Sequence, residues 1–270
     1  MIFYDSDVDR PSLARELKEL YQYRDLVILM TINSVKTRYK RSVLGVVWTL
    51  LNPLLYMSVM TIAFTAVFRS ALPHYPVYVL TGLICWNLFT QTTLHAMNHM
   101  IFGGSLIRRI YFPRTIFALA TLGNAGINFC LSMAPLAAII LLLGHPIRAS
   151  WAFVPIAMGL MGLFSFGASL LMSILAVFFA DIIEIHQALV QILFFLTPIM
   201  YPQSIVPARY SWCHRINPFY WLIEVFRRPI YDGVWPSLHS VLAASFCALA
   251  ALSLGWTLFL RKADELAYHV

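Results

Sequence analysis

Three side chains near the start of the first long apolar run, Trp48, Asn52 and Tyr56, stand at i, i+4 and i+8 and therefore share one face of a helix. Two aromatic rings flanking an amide suit a sliding sugar chain, because rings stack on the C–H faces of saccharides while an amide exchanges hydrogen bonds with hydroxyls. Aromatic residues also anchor helices at membrane interfaces, which is the plainer reading of the same stripe. Asn52 precedes Pro53. That pair leaves a backbone carbonyl unpaired and carries a polar amide into an apolar run, so it marks either a tolerated kink or a functional one. Immediately ahead, Arg38, Lys40 and Arg41 form a basic cluster at the depth of the lipid headgroups, where an anionic head of a substrate would approach.

Other chemistry-bearing residues lead to less. His95 and His99 are four apart, as in helical zinc sites, but the first His is not followed by Glu and no acidic third ligand lies nearby, so polar packing is expected and no metal. The chain has no phosphate-binding G-x-x-x-x-G-K-[ST] loop and no Gly-Lys pair, so ATP is not bound by that route. Its long apolar runs also lack the Asp, Glu, Lys and Arg of a proton- or sodium-coupled carrier. A membrane enzyme would show paired acids or a His/Glu cluster near one membrane face. Only Asp181 and Glu184 come close, in a short link. No cofactor is expected on this chain, and energy must come from a partner. The four cysteines, Cys85, Cys130, Cys213 and Cys247, have no metal-site spacing and read as packing residues.

The elements that position these residues follow from composition: 60% of the 270 residues are hydrophobic and 11% charged, which suits lipid as the solvent. Charged residues leave six gaps, 42–68, 70–107, 115–147, 149–180, 185–208 and 233–260. Each exceeds the roughly 20 residues that cross a bilayer core of about 30 Å, and none alternates as barrel strands do. The expected fold is an all-α integral membrane protein with spans at about 44–68, 76–98, 115–142, 152–178, 185–200 and 237–260, after a cytoplasmic interfacial segment 1–43 and before a tail 261–270. With the N-terminus inside, 13 Lys and Arg fall in inner segments and 6 in outer ones, which places both termini in the cytoplasm. The net charge of +7 is then an anchoring signal, and nucleic acid is not an expected partner. No signal peptide is apparent, and the cytoplasmic membrane is the expected location.

Within this frame, 12–23 reads as an amphipathic helix capped by Ser12, with Leu13, Leu17, Leu20 and Tyr21 on one face, and 25–40 as a helix in the inner headgroup layer. Between spans two and three, Gly103-Gly104 and Pro113 bracket a short helix, Leu106, Ile107, Arg108, Arg109, Ile110 and Tyr111, with apolar sides and a basic edge. Span four carries Gly162, Ser165, Ser169 and Ser173, a small-residue row that lets helices approach. After span five, prolines at 198, 202, 207, 218 and 229 cut the chain into pieces too short to span and too apolar to float, suited to re-entrant or interfacial helices at the outer face. Glu224 is expected to pair with Arg227 or Arg228 at helical spacing.

Three strings, RYKRSVLGVVWTLLNPLL at 38–55, IRRIYFPR at 107–114 and the proline-cut segment 197–230, resemble the permease subunits of bacterial ABC-type polysaccharide exporters, which move O-antigen, capsule and teichoic acid. The resemblance runs in matching order from about residue 25 to 230. It implies a homodimer with two separate ATP-binding cassette subunits that hold ATP and Mg, and a lipid-linked polysaccharide as substrate. It also implies a coupling segment 103–114, whose helix Leu106–Tyr111 docks on the ATPase, and an outer gate at 201–230 to which Tyr201, Tyr210, Trp212, Phe219 and Tyr220 belong. The chain departs from the family at Ala180, where members often carry Arg before the Asp. A related permease for drugs or small lipids, a membrane-embedded glycan-processing enzyme and a structural scaffold are the competing readings.

Overall fold

The computed structural model describes residues 13–40, 44–45, 47–65, 73–102, 115–179 and 181–262. Among them there are ten α-helices and no strand. The helices are α1 (Leu13–Gln22), α2 (Arg24–Tyr39), α3 (Val47–Thr65), α4 (Tyr75–Phe102), α5 (Thr115–Leu142), α6 (Val154–Phe178), α7 (Ile182–Leu196), α8 (Ser211–Ile216), α9 (Pro218–Arg227) and α10 (Leu238–Lys262). A π-helical turn, Arg228–Asp232, ends α9 at Gly233, whose φ of 67° reverses the chain. Three helical stretches are long and apolar enough to cross a bilayer: α5, α6 with its leading 3-10 turn, and α10. The apolar parts of α3 and α7 are shorter.

The exception is α4, which is 28 residues long yet carries Asn87, Gln91, His95, Asn98 and His99. It lies at the centre of the molecule against α3, α5, α6, α7 and α9, so its polar side chains are partly covered by protein. Leu80, Ile84, Met97 and Met100 are fully buried along it. The chain folds tightly because backbones come together where side chains end. A Cβ on Gly167 of α6 would overlap the Ala251–Leu252 backbone of α10, and one on Gly255 would overlap the carbonyl of Gly167. This crossing, not the serine row, sets the α6–α10 approach. Ser165, Ser169 and Ser173 are fully buried, but their hydroxyls donate to carbonyls of their own helix, at 2.7, 2.7 and 2.6 Å.

At the N-terminal end, Leu20 is buried in a second core with Met100, Ile116, Phe117, Leu170, Ile174 and Phe259. Tyr21, expected on the same buried face, is exposed instead, with the Arg24 guanidinium 4.6 Å over its ring. Helix α2 packs on α5 through Thr31, whose hydroxyl donates to Val27 O at 2.8 Å and reaches Ala120 O at 3.3 Å beside Gly123. Its other apolar side, Ile28, Leu29 and Ile32, is exposed. Gly45 has φ 49°, in the left-handed region that favours glycine, and α3 is described from Val47.

Candidate functional site

Helices α3, α4 and α7 border an open-sided cavity of about 850 Å³. One stripe from each helix lines it at helical spacing: Trp48, Asn52, Tyr56 and Met60 from α3; Trp86, Asn87, Thr90 and Gln91 from α4; His186, Gln187, Val190, Gln191 and Phe194 from α7. Ser132 of α5 closes one side. The three candidate pathway residues are thus together in one cavity, next to Pro53 of the same helix. Trp48 to Met60 spans twelve residues, or about 18 Å of helix. No Asp, Glu, Lys or Arg lines the cavity among the described residues.

The polar groups of the cavity wall are met unevenly among the described residues. Asn128 donates to Gln91 Oε1 at 2.8 Å, which holds Gln91 in place. His186 is buried at 6% exposure, 6.4 Å from the ring of Phe89, and neither ring nitrogen has a hydrogen-bond partner among the described residues. Helix α7 starts at Ile182, so His186 and Gln187 belong to its first turns and not to a separate link. Asp181 and Glu184 are exposed and do not line the cavity.

At the far end of α7 the polar groups are used up. The helix breaks at Thr197-Pro198, and the released carbonyls converge on donors from other elements. Arg227, 8% exposed, donates through Nη1 to Pro198 O at 2.7 Å and through Nη2 to Ile199 O at 3.2 Å, with its guanidinium 3.8 Å over the ring of Tyr78. The single proton of the Tyr78 hydroxyl is within donating reach of Pro198 O at 3.1 Å and Tyr201 O at 3.0 Å, and the Tyr75 hydroxyl donates to Met200 O at 2.8 Å. Gly82 makes the room, since a Cβ there would come within 2.5 Å of Nη2. Asn217 caps α9 by accepting from Phe219 N at 2.9 Å while its amide donates to Thr197 Oγ1 at 2.9 Å.

Glu224 pairs with Arg228, at 3.6 Å, and accepts from Ser240 at 3.2 Å, while Arg227 is left to the backbone. Burial, with the Glu224 charge beside it, pushes the Tyr220 phenol above its usual range, and burial likewise raises the Asp232 carboxyl against the lowering effect of Arg228. Of the outer aromatics, Tyr210 and Trp212 are exposed, and Tyr201 and Tyr220 are half-buried. Phe219 is buried among Trp86, Phe89 and Phe164, with ring centroids 4.9, 4.6 and 5.3 Å away. Helix α9 as a whole is packed against α4, α6 and α10, and its Leu222, Val225 and Phe226 are core residues.

Residues 25–231, which contain both the cavity and the closed end of α7, match the ABC-2 type transporter family. The chain belongs to this family. It is 30% identical over 211 residues to an O-antigen export system permease protein, RfbA, of Klebsiella pneumoniae, covering 77% of this chain and 81% of that one. A protein of the same name from Myxococcus xanthus is 27% identical over 262 residues, covering 96% of this chain and 100% of the other. The polysialic acid transport protein KpsM of Escherichia coli is 21% identical over 244 residues, covering 87% and 92%. As an ABC-2 transporter subunit the chain is a membrane-embedded transport component, the family to which its first-span, inter-span and outer strings pointed.

Of the other sequence-marked residues in this ABC-2 subunit, Lys40 is exposed after α2, the side chain of Arg38 and all of Arg41 lie outside the described residues, and so does the expected coupling helix Leu106–Tyr111. His95 and His99 lie in α4, His99 edge-on to Phe117 at 6.5 Å. Among the described residues no three His, Cys, Asp or Glu side chains gather as a metal site. Sequence reading missed Gln187, Gln191 and His186 as cavity residues, although Gln187 and Gln191 carry the same i, i+4 signal as Trp48 and Asn52. It also missed Arg227 as a carbonyl-binding group, because the carbonyls lie 28 and 29 residues away.

Proposed function

We propose that this ABC-2 subunit forms the membrane channel of an ATP-driven exporter that moves a lipid-linked polysaccharide out of the cytoplasm across the inner membrane. The observation that carries the reading is the cavity between α3, α4 and α7, a lane of aromatic rings and amides without ionised side chains, in a chain whose relatives are named for O-antigen and polysialic acid transport. Rings and amides fit sugar faces and hydroxyls. Exposed apolar side chains flank it, Leu55, Tyr56, Val59 and Ile62 on α3 and Ile185, Leu189, Ile192 and Phe195 on α7. A second copy of the chain set against them closes two half-lanes into one channel, so the working unit is a homodimer. Two ATP-binding cassette subunits, carrying ATP and Mg, supply the energy through Leu106–Tyr111.

In this reading six spans cross the inner membrane, both termini are cytoplasmic, α8 and α9 re-enter the outer face as a gate, and Arg38, Lys40 and Arg41 meet the anionic head of the lipid carrier. The membrane-enzyme reading loses support because Asp181 and Glu184 sit on the exposed side of α7 and not in the cavity.

Co-purification tests the assembly. A tagged chain recovers an ATPase subunit, and deletion of 108–111 uncouples that ATPase; an ATPase that never co-purifies, or one indifferent to the deletion, sinks the reading. Orientation has its own check. A membrane-impermeant thiol reagent reaches half-buried Cys213 from the outer side, and labelling from the cytoplasmic side alone overturns the topology.

A further inference from the structure

One buried amide acts on the cavity without lining it. Resting on the reading of the cavity as the glycan path, we infer that Asn128 is a positioning residue, which holds the Gln91 side chain so that its amide N–H groups face the lane as fixed donors to an oxygen of the passing sugar.

Geometry is the first argument. Asn128 sits on α5 at 4% exposure and is not among the residues that border the cavity. Gln91 does border it, from α4, and is half-buried. The Asn128 amide donates to Gln91 Oε1 at 2.8 Å, so the oxygen of Gln91 is engaged on the protein side. Its nitrogen, Nε2, has no hydrogen-bond partner among the described residues and is not buried. Turned the other way, the pair would bury both N–H groups of the Asn128 amide without an acceptor. The observed orientation uses one of them and leaves Asn128 Oδ1 unmet, which is the milder deficit.

The chemistry of the surrounding wall is the second argument. Thr90 donates its hydroxyl proton to Asn87 O at 3.3 Å and Ser132 donates its own to Asn128 O at 2.8 Å. Each hydroxyl has therefore spent its proton on its own helix and offers the lane only lone pairs. A sugar hydroxyl must accept as well as donate, and a ring oxygen only accepts, so donors on this wall have to come from nitrogen. Gln91 supplies them. Its side chain has three torsions and, unanchored, would be free to turn away from the lane; the bond to a buried group on a packed helix moves that ordering cost to folding and away from each sugar contact.

The test uses the full chain in its own cell. Deleting the gene is expected to stop surface display of a polymer, and display that continues defeats the exporter reading and this inference with it. The remaining arms bear on the inference alone. Asn128→Leu, at normal protein abundance and with the melting temperature of the purified protein held, is expected to lower export about fivefold, the worth of one hydrogen bond. Gln91→Met is expected to lower it by about as much, and the double variant to fall no further than Gln91→Met alone, because Asn128 acts only through Gln91. A residue that merely supports the fold would lower export by the same factor with or without Gln91, so multiplied losses overturn the positioning role. Unchanged export in Asn128→Leu overturns it too, as does a fall in its melting temperature. Gln91→Glu leaves Asn128 in place and keeps an oxygen for it to donate to, but sets an acceptor where the lane had N–H groups. Its export is expected to drop at least as far as in Gln91→Met, and normal export in Gln91→Glu overturns the donor assignment.

Discussion

The two ends of α7 are built on opposite principles. Around His186, Gln187 and Gln191 the polar side chains outnumber their protein partners and border open space; around Thr197 to Tyr201 the carbonyls freed by a helix break are met by Arg227, Tyr75 and Tyr78. The first region keeps hydrogen-bonding capacity in reserve and is suited to transient contacts. The second has consumed it and is suited to holding shape.

That contrast can be broken most forcefully at the closed end. Replacing Arg227 with Met leaves the buried Ile199 carbonyl without its donor and the Pro198 carbonyl with the Tyr78 hydroxyl alone, so a loss of roughly 1–3 kcal/mol is expected, read as a lower melting temperature in detergent and less folded protein. Arg227→Lys keeps the charge without the fork and should recover only part of it. The open end should respond in the opposite way: Trp48→Ala together with Tyr56→Ala is expected to lower polymer export about tenfold or more with little change in melting temperature. Export at the normal level, with normal protein abundance, would show that the stripe is not the path.

Smaller effects sharpen the boundary. Asn217→Ala removes the α9 cap and the bond to Thr197, and about 1 kcal/mol of stability should go with it in a thermal melt. Glu224→Gln weakens one partly exposed pair with Arg228 and should cost only about 0.3–0.5 kcal/mol, close to the limit of the same measurement. If Glu224→Gln were as damaging as Arg227→Met, the outer segment would be held by its ion pair and not by carbonyl capture.

Much of this molecule was legible along the chain because the relevant signals are local. Apolar runs mark helices, as in α5, and i, i+4 spacing is enough to bring Trp48, Asn52 and Tyr56 to one cavity wall. Local periodicity fails where two faces compete. Tyr21 shares its heptad face with Leu20, yet the partner surface accepts one of them and leaves the other to Arg24. Phe219 stands among exposed aromatics along the chain, yet its ring is buried against Trp86 and Phe164.

By itself, then, the amino-acid sequence determined the helical membrane class, the family and the uncharged, ring-and-amide character of the first span, since these depend on residue type and on spacings within one helix. Tertiary structure decided which polar groups are answered. Gln91 meets Asn128 and Arg227 meets Pro198 across 37 and 29 residues of chain, and His186 has no hydrogen-bond partner among the described residues. Hydrogen bonds act over about 3 Å, so whether a polar side chain is locked or left available is fixed only when distant segments are brought together.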